Sequence, residues 1–173
     1  MQDENGRQGV TPALVVEEVD VAGPRTSVAL RGSGWAEAAV LLASLAGDAP
    51  DVVRSPDGAD ASASIDQVGT IHVRVSCGDP LDSVVLRSYC IGAAHMALGW
   101  VRREGVSVDA DGMPHDLTIR SFGVLRAVDT PPIEIDIVES DAQPVNGSDA
   151  VFAAVAAAAW RNAGFPPVWP CAR

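Results

Sequence analysis

The sequence predicts an α+β fold: two strand–helix lobes, helices packed on antiparallel or mixed sheets, and an internal pseudo-twofold repeat suggested between the lobes. Three observations carry this. Thr70–Cys77 and Ile133–Val138 alternate apolar and polar residues as half-buried strands do. Ala- and Leu-rich stretches that follow capping residues repeat with helical spacing. Hydrophobic residues make up 47% of 173 residues, enough for a packed core in one domain. Residues 1–10 are polar and read as a flexible N-terminus. Residues 11–173 read as a single α+β domain, with a lobe at 11–55, a lobe at 65–173 and a loop at 47–63 between them.

Taken in order, Ala13–Val21 (ALVVEEVDV) reads as a strand, and Gly23-Pro24 breaks it. Thr26–Leu30 reads as a second strand. Ser33 is placed to cap a helix over Trp35–Leu45. Gly47–Ala63 is rich in Gly, Pro, Asp and Ser and reads as a loop. In Thr70–Cys77, the side chains of Ile71, Val73, Val75 and Cys77 face one way, and those of His72, Arg74 and Ser76 the other. Asp82 or Ser83 starts a long helix to about Arg103, apolar on most sides and so expected to be largely buried. Val106–Val108 and Leu117–Arg126 read as short strands around a turn at Ala110-Asp111-Gly112. Ile133–Val138 points its isoleucines inward and Glu134 and Asp136 outward. A last helix runs from about Ser148 to Ala163, and Gly164 caps it.

Twenty-three acids against twelve bases, all arginine, give a net charge of −11. Such a surface repels phosphate backbones and anionic lipid heads, so no nucleic-acid or membrane partner is expected. The longest apolar run, Ala150–Trp160, is 11 residues. A membrane span needs about 20. The first residues, MQDENGRQG, show no secretory signal pattern. Cys77, Cys90 and Cys171 form neither a disulfide framework nor a zinc knuckle, which suits thiols in a reducing cytoplasmic setting. His72, His95 and His115 stand in no metal-binding spacing, so no metal site is expected.

The repeat rests on Thr11–Glu18 (TPALVVEE) against Thr130–Asp136 (TPPIEID). Each is followed by a loop, a Gly-Ser-x step (Gly32-Ser33-Gly34, Gly147-Ser148-Asp149) and an Ala-rich helix.

Three segments carry a resemblance to a known family. Arg87-Ser88-Tyr89-Cys90-Ile91-Gly92, continuing to Ala97-Leu98-Gly99-Trp100, resembles an R-x-Q-x-x-G-x-x-x-Q-G-L-G-W helix. Asp109–Asp111 with Gly112 and Pro114 resembles a D-x-D-G-x-P turn. Arg126–Glu134 (RAVDTPPIE) resembles an R-A-A-D-x-P-P-I-E-V strand entry. In this order and near this spacing, they resemble the C-terminal part of the molybdopterin-binding large subunit of the xanthine dehydrogenase and aldehyde oxidase family, over about residues 70–170. The resemblance implies a truncated scaffold without cofactor-binding residues. Two glutamines that serve the cofactor in that family correspond to Tyr89 and Met96, a phenol and a thioether in place of amides. Its catalytic Glu, in a G-x-G-E segment, corresponds to Asp149, or to Ser148 in one register. No bound molybdenum, iron or flavin is therefore expected.

On the residues themselves, Asp149 reads either as a first-turn acid favoured by the helix dipole or as a base at a pocket mouth. His95 reads as a core histidine or as a pocket acid/base. Glu134 and Asp136 form a solvated face or a carboxylate pair. Arg102-Arg103 reads as a solvated C-terminal pair. Trp35, Trp160 and Trp169 line an apolar pocket or simply pack. The expected site has Asp149, Ser148, Tyr89 and His95 as catalytic groups, with Met96, Trp100, Phe122 and Phe152 against an apolar small-molecule substrate. Three function classes follow: a cofactor-independent enzyme, such as a cyclase or isomerase of an apolar natural-product intermediate; the small subunit of a split molybdenum hydroxylase; or a non-catalytic binding and assembly protein. Surface left bare by a missing scaffold also predicts a homodimer or a partner subunit.

Overall fold

A computed structural model describes residues 28–45, 52–115 and 118–171. The elements are α1 (Val28–Leu45), β1 (Val53–Arg54), β2 (Asp60–Ile65), β3 (Ile71–Ser76), α2 (Ser83–Arg102), α3 (Ile119–Phe122), a 3-10 turn (Ala127–Asp129), β4 (Ile133–Ile137) and α4 (Ser148–Asn162). The four strands form one mixed sheet in the order β1-β2-β3-β4. The first two pairings are antiparallel and β3–β4 is parallel, bridged by the α2 crossover. The fold is α+β, as the sequence predicts.

The alternation in β3 orders the layers. Ile71, Val73 and Val75 are buried together with Ala61 and Ile135. On this side α4 lies across β2, α2 lies over β4, and α1 packs on α4. α2 and α4 meet through small residues, Ala93, Ala94 and Ala97 on one and an alanine-rich run on the other. Alanine favours the helix and lets the two backbones come close.

Local chemistry fixes both helix starts. The Asp82 carboxylate caps α2, accepting from the Val84 and Val85 amides at 2.8 and 3.1 Å. Asn146 Oδ1 accepts from the Ser148 amide at 3.0 Å and turns the chain into α4. Gly147 lies against Val75 and Cys77, where a Cβ would come within 3.2 Å of the Val75 side chain. Gly78 has φ +81°, and a Cβ there would run into the Gln143 carbonyl.

Several expectations change. Val28–Leu30, taken as the end of a strand, belong to α1, and Ser33 lies inside that helix rather than capping it. The loop at 47–63 contains β1 and most of β2. The sequence there is poor in β-formers, but Ala59 and Ala61 are small enough to be buried beneath α4. Pro56-Asp57-Gly58 makes the hairpin turn, with Gly58 at φ +95°. Over the described part of the strand expected at Leu117–Arg126 the chain forms α3 instead, started by a Thr118–Ser121 capping box, and the 3-10 turn follows. Val106–Val108 contributes one isolated bridge, Val108 to Pro114. α2 is buried along one side only. The N-terminal residues 1–10, the strand at Ala13–Val21 and the Thr11–Glu18 segment of the repeat lie outside the described residues, while its Gly32-Ser33-Gly34 step falls inside α1 rather than at a helix start.

Candidate functional site

The expected catalytic residues lie on two helices, Ser148 and Asp149 at the start of α4 and Tyr89 and His95 along α2. Asp149 is exposed in the first turn of α4, and Ser148 is half-buried beside it. Tyr89 projects from the outer side of α2 and is 66% exposed, and Met96, two turns on, is 56% exposed. His95 is tied elsewhere. Its Nδ1 lies 2.8 Å from Thr130 Oγ1. That hydroxyl gives its own proton to the Arg126 carbonyl at 3.2 Å, so His95 Nδ1 is the donor of the pair. His95 thus pins the entry to β4 onto α2. Among the described residues, no hydrogen bond joins Asp149, Ser148, Tyr89 and His95 to one another. Phe122 lies in α3, and its carbonyl accepts from the Gly105 amide at 2.9 Å.

The aromatic residues do gather. Trp100 packs on Phe152 with centroids 5.3 Å apart and planes tilted by 32°, and meets Trp169 edge-on at 4.7 Å. Trp160 meets Trp169 edge-on at 5.6 Å. Trp100, Trp160 and Trp169 line a hollow of about 290 Å³ with Glu37, Val40 and Leu41 of α1. Trp35 packs against the core. Glu37 and Trp100 had no sequence signal linking them to Trp160 and Trp169, because four distant segments build the hollow.

The uncovered face of the sheet carries a second cluster. Register brings Ser64, His72 and Glu134 abreast, and next to them Ser62, Arg74 and Asp136. The carboxylates read from sequence as outward-facing are each paired with a base. Arg74 reaches Asp136 at 3.6 Å, and His72 Nδ1 lies 3.0 Å from Glu134. His72 Nε2 lies 3.2 Å from Asp66, which also accepts from the Val68 and Thr70 amides. Both ring nitrogens face carboxylates, and only the imidazolium donates from both. The hydrogen bond to Asp66 and the charge of Glu134 raise the His72 pKa, while the same hydrogen bond lowers that of Asp66.

The three cysteines are free thiols. Burial, with Cys77 nearby, pushes Cys90 up to about 11. A thiol so protonated is no nucleophile at neutral pH. Burial also raises the carboxyl of Glu104.

The exposed side of α2 carries large apolar residues, Val84, Val85, Tyr89, Ile91 and Met96, with Ser83, Arg87 and Ser88 exposed among them. Leu81, just before the helix, is exposed as well. The helix contains two arginines. Arg87 turns its guanidinium to the Ile135 carbonyl, and Arg102 sits in the last turn. By length and composition α2 is the one described helix able to cross a membrane.

A molybdopterin does not fit the positions the resemblance assigns to it. Tyr89 and Met96 offer no amide, and they stand on an open helix face. Among the described residues, no group of three or more His, Cys, Asp or Glu side chains could hold a metal ion.

No family model matches the chain, and no curated protein matches it. Among solved structures, the chain is similar to quinoline 2-oxidoreductase from Pseudomonas putida 86, with a TM-score of 0.51 and 19% identity over 66% of this chain. It spans 17% of that protein's chain. It is also similar to the Cu,Mo-CO dehydrogenase in its carbon monoxide reduced state, with a TM-score of 0.47 and 13% identity, covering 54% of this chain and 13% of that one. The first likeness shows a shared fold, in line with the distant oxidoreductase-scaffold resemblance of the sequence. It says nothing of chemistry.

Proposed function

We propose that the protein is a non-catalytic binding and assembly protein, joined as a homodimer through the outer side of α2. The observation that carries this is the row Val85, Tyr89, Gly92 and Met96. Its spacing of four, three and four residues is that of a helix–helix seam. Val85 is 49% exposed, and nothing lies within 4 Å of a Cβ placed on Gly92. The row is complementary to itself. An antiparallel second copy brings Val85 opposite Met96 and Tyr89 opposite Gly92, and the two-fold axis repeats each contact with roles exchanged. A ring then fills the place where the facing helix has no side chain. Two chains of charge −11 repel each other. Salt therefore strengthens the association by screening.

Light scattering on the purified chain at micromolar concentration tests this. The expected mass at high salt is twice 17.9 kDa, with the dimeric fraction falling as salt is lowered. A monomer at every salt concentration contradicts the reading. An unlike partner required for solubility supports instead the subunit role that the sequence also suggested.

One observation favours the cofactor-free cyclase or isomerase as a second reading. The Asp149 carboxylate is exposed and takes part in no hydrogen bond or ion pair, so it is open to act as a base. Asp149→Asn then lowers turnover of the substrate by about 10²–10⁴ and leaves the assembly intact.

A further inference from the structure

We infer that the hollow between α1 and the three tryptophans is a binding site for a compact quaternary ammonium cation. The walls are Trp100 at the end of α2, Trp160 of α4 and Trp169 of the C-terminal segment, with Val40 and Leu41 behind and Glu37 lining one side. Trp169 stands nearly perpendicular to both other indoles, at 82° and 77°, so the three rings present walls in different directions. The Trp160 indole is held in place by its Nε1, which donates to the Pro166 carbonyl at 3.0 Å. The volume of about 290 Å³ lies at the lower end of small-ligand sites, which run from about 300 to 1,000 Å³. A head group fits it, and a multi-ring ligand does not.

Charge decides the class. Indole faces are the negative part of the ring quadrupole and attract cations, Trp most strongly. Glu37 is exposed, and no hydrogen bond or ion pair engages its carboxylate. Arg102 and Arg161 belong to the same helices as Trp100 and Trp160, but neither lines the hollow. Arg161 directs its guanidinium to the Ala43 carbonyl at 2.8 Å. The remaining lining side chains are apolar or indole, so a primary ammonium would strip water from N–H donors that find too few acceptors. A methylated ammonium has no such donors to strand. The hollow shares none of its lining residues with the row Val85, Tyr89, Gly92 and Met96, so the two proposals are tested by different substitutions.

The test is a tryptophan-fluorescence titration of the full chain, at about 0.15 M salt to screen the acidic surface. The probes are choline and its uncharged isostere 3,3-dimethylbutan-1-ol. Choline is expected to change the emission saturably and to bind about tenfold more tightly than the isostere, the scale of a partly desolvated cation–π contact. Glu37→Gln is expected to weaken choline by about threefold and leave the isostere unchanged, since the substitution removes one exposed charge and keeps the shape. Equal affinity for the two probes would make the hollow merely apolar and overturn the assignment. So would the absence of any saturable response. Choline binding indifferent to Glu37→Gln would mean attraction to the general surface charge, and would overturn it too.

Discussion

α4 and α2 pack side by side and are both apolar, yet they use that character in opposite ways. α4 buries Ala150, Val151 and every residue from Ala153 to Ala159, so almost its whole circumference is enclosed. α2 buries Cys90, Ala93, Ala94, Ala97, Leu98, Gly99 and Val101 along one side and turns Val85, Tyr89 and Met96 outward. The inner residues are mostly small and the outer ones mostly large, the reverse of the usual ordering. Alanine is the commonest buried residue of both helices, and the bulky exposed residues of α2 stand apart from that buried set. These bulky residues form a second apolar surface, the kind that marks interaction sites.

That contrast is open to attack from the inside first. Leu98 is 1% exposed on the packed side of α2. Leu98→Ala is expected to cost about 2–5 kcal/mol of stability in urea melts. The Cys90 thiol, pushed to about 11 by burial, provides the readout, since it should react with a disulfide reagent at neutral pH only on unfolding. A loss well below that range would mean that the α2–α4 contact is not tightly packed.

The sheet's open face gives a smaller effect with a definite sign. The His72 pKa is raised by Asp66 and Glu134, so its contribution is complete below the unfolded value of about 6.5. It is lost as pH rises through the folded value. Asp66 works the other way: its lowered pKa gives stability present above about 3.9 and lost as pH falls through the folded value. His72→Gln is expected to flatten the stability profile on the side above neutral pH and to weaken the acid side too. The His72 hydrogen bond is the largest cause of the lowered Asp66 pKa, and without it only the Thr70 and Val68 amides remain. An unchanged profile would mean that the imidazolium bridge does not form.

The smallest expected change is on the outer side of α2. Met96→Ser is expected to shift the unfolding free energy of the dilute chain by less than about 0.5 kcal/mol. A large loss there would place Met96 in the core and erase the contrast between the two helices.

The alternation of Ile71, Val73 and Val75 and of the β4 isoleucines made the sheet's inner face legible, because a two-residue period has one meaning. α2 and α4 were legible from their length and caps. The burial of α2 was not, since an apolar side reads alike whether it faces a core or a partner. The β2 strand, Asp60–Ile65, was hidden because its alanines and serines carry turn-like composition, and only the α4 covering makes them a strand. Of the expected site, Trp100 and Phe152 come together, while no hydrogen bond joins Asp149, Tyr89 and His95. How their side chains face one another depends on how α2 and α4 are rotated about their axes, which sequence spacing within each helix does not fix.

Sedimentation of three variants tests the central claim that α2 is a self-complementary interface. Val85→Arg alone and Met96→Glu alone should each abolish the dimer, because each sets a charge against an apolar side chain of the facing copy. The double variant should restore it, since antiparallel pairing then places opposite charges across the seam twice. A double variant as monomeric as either single one, or single variants that still dimerise, would contradict the account.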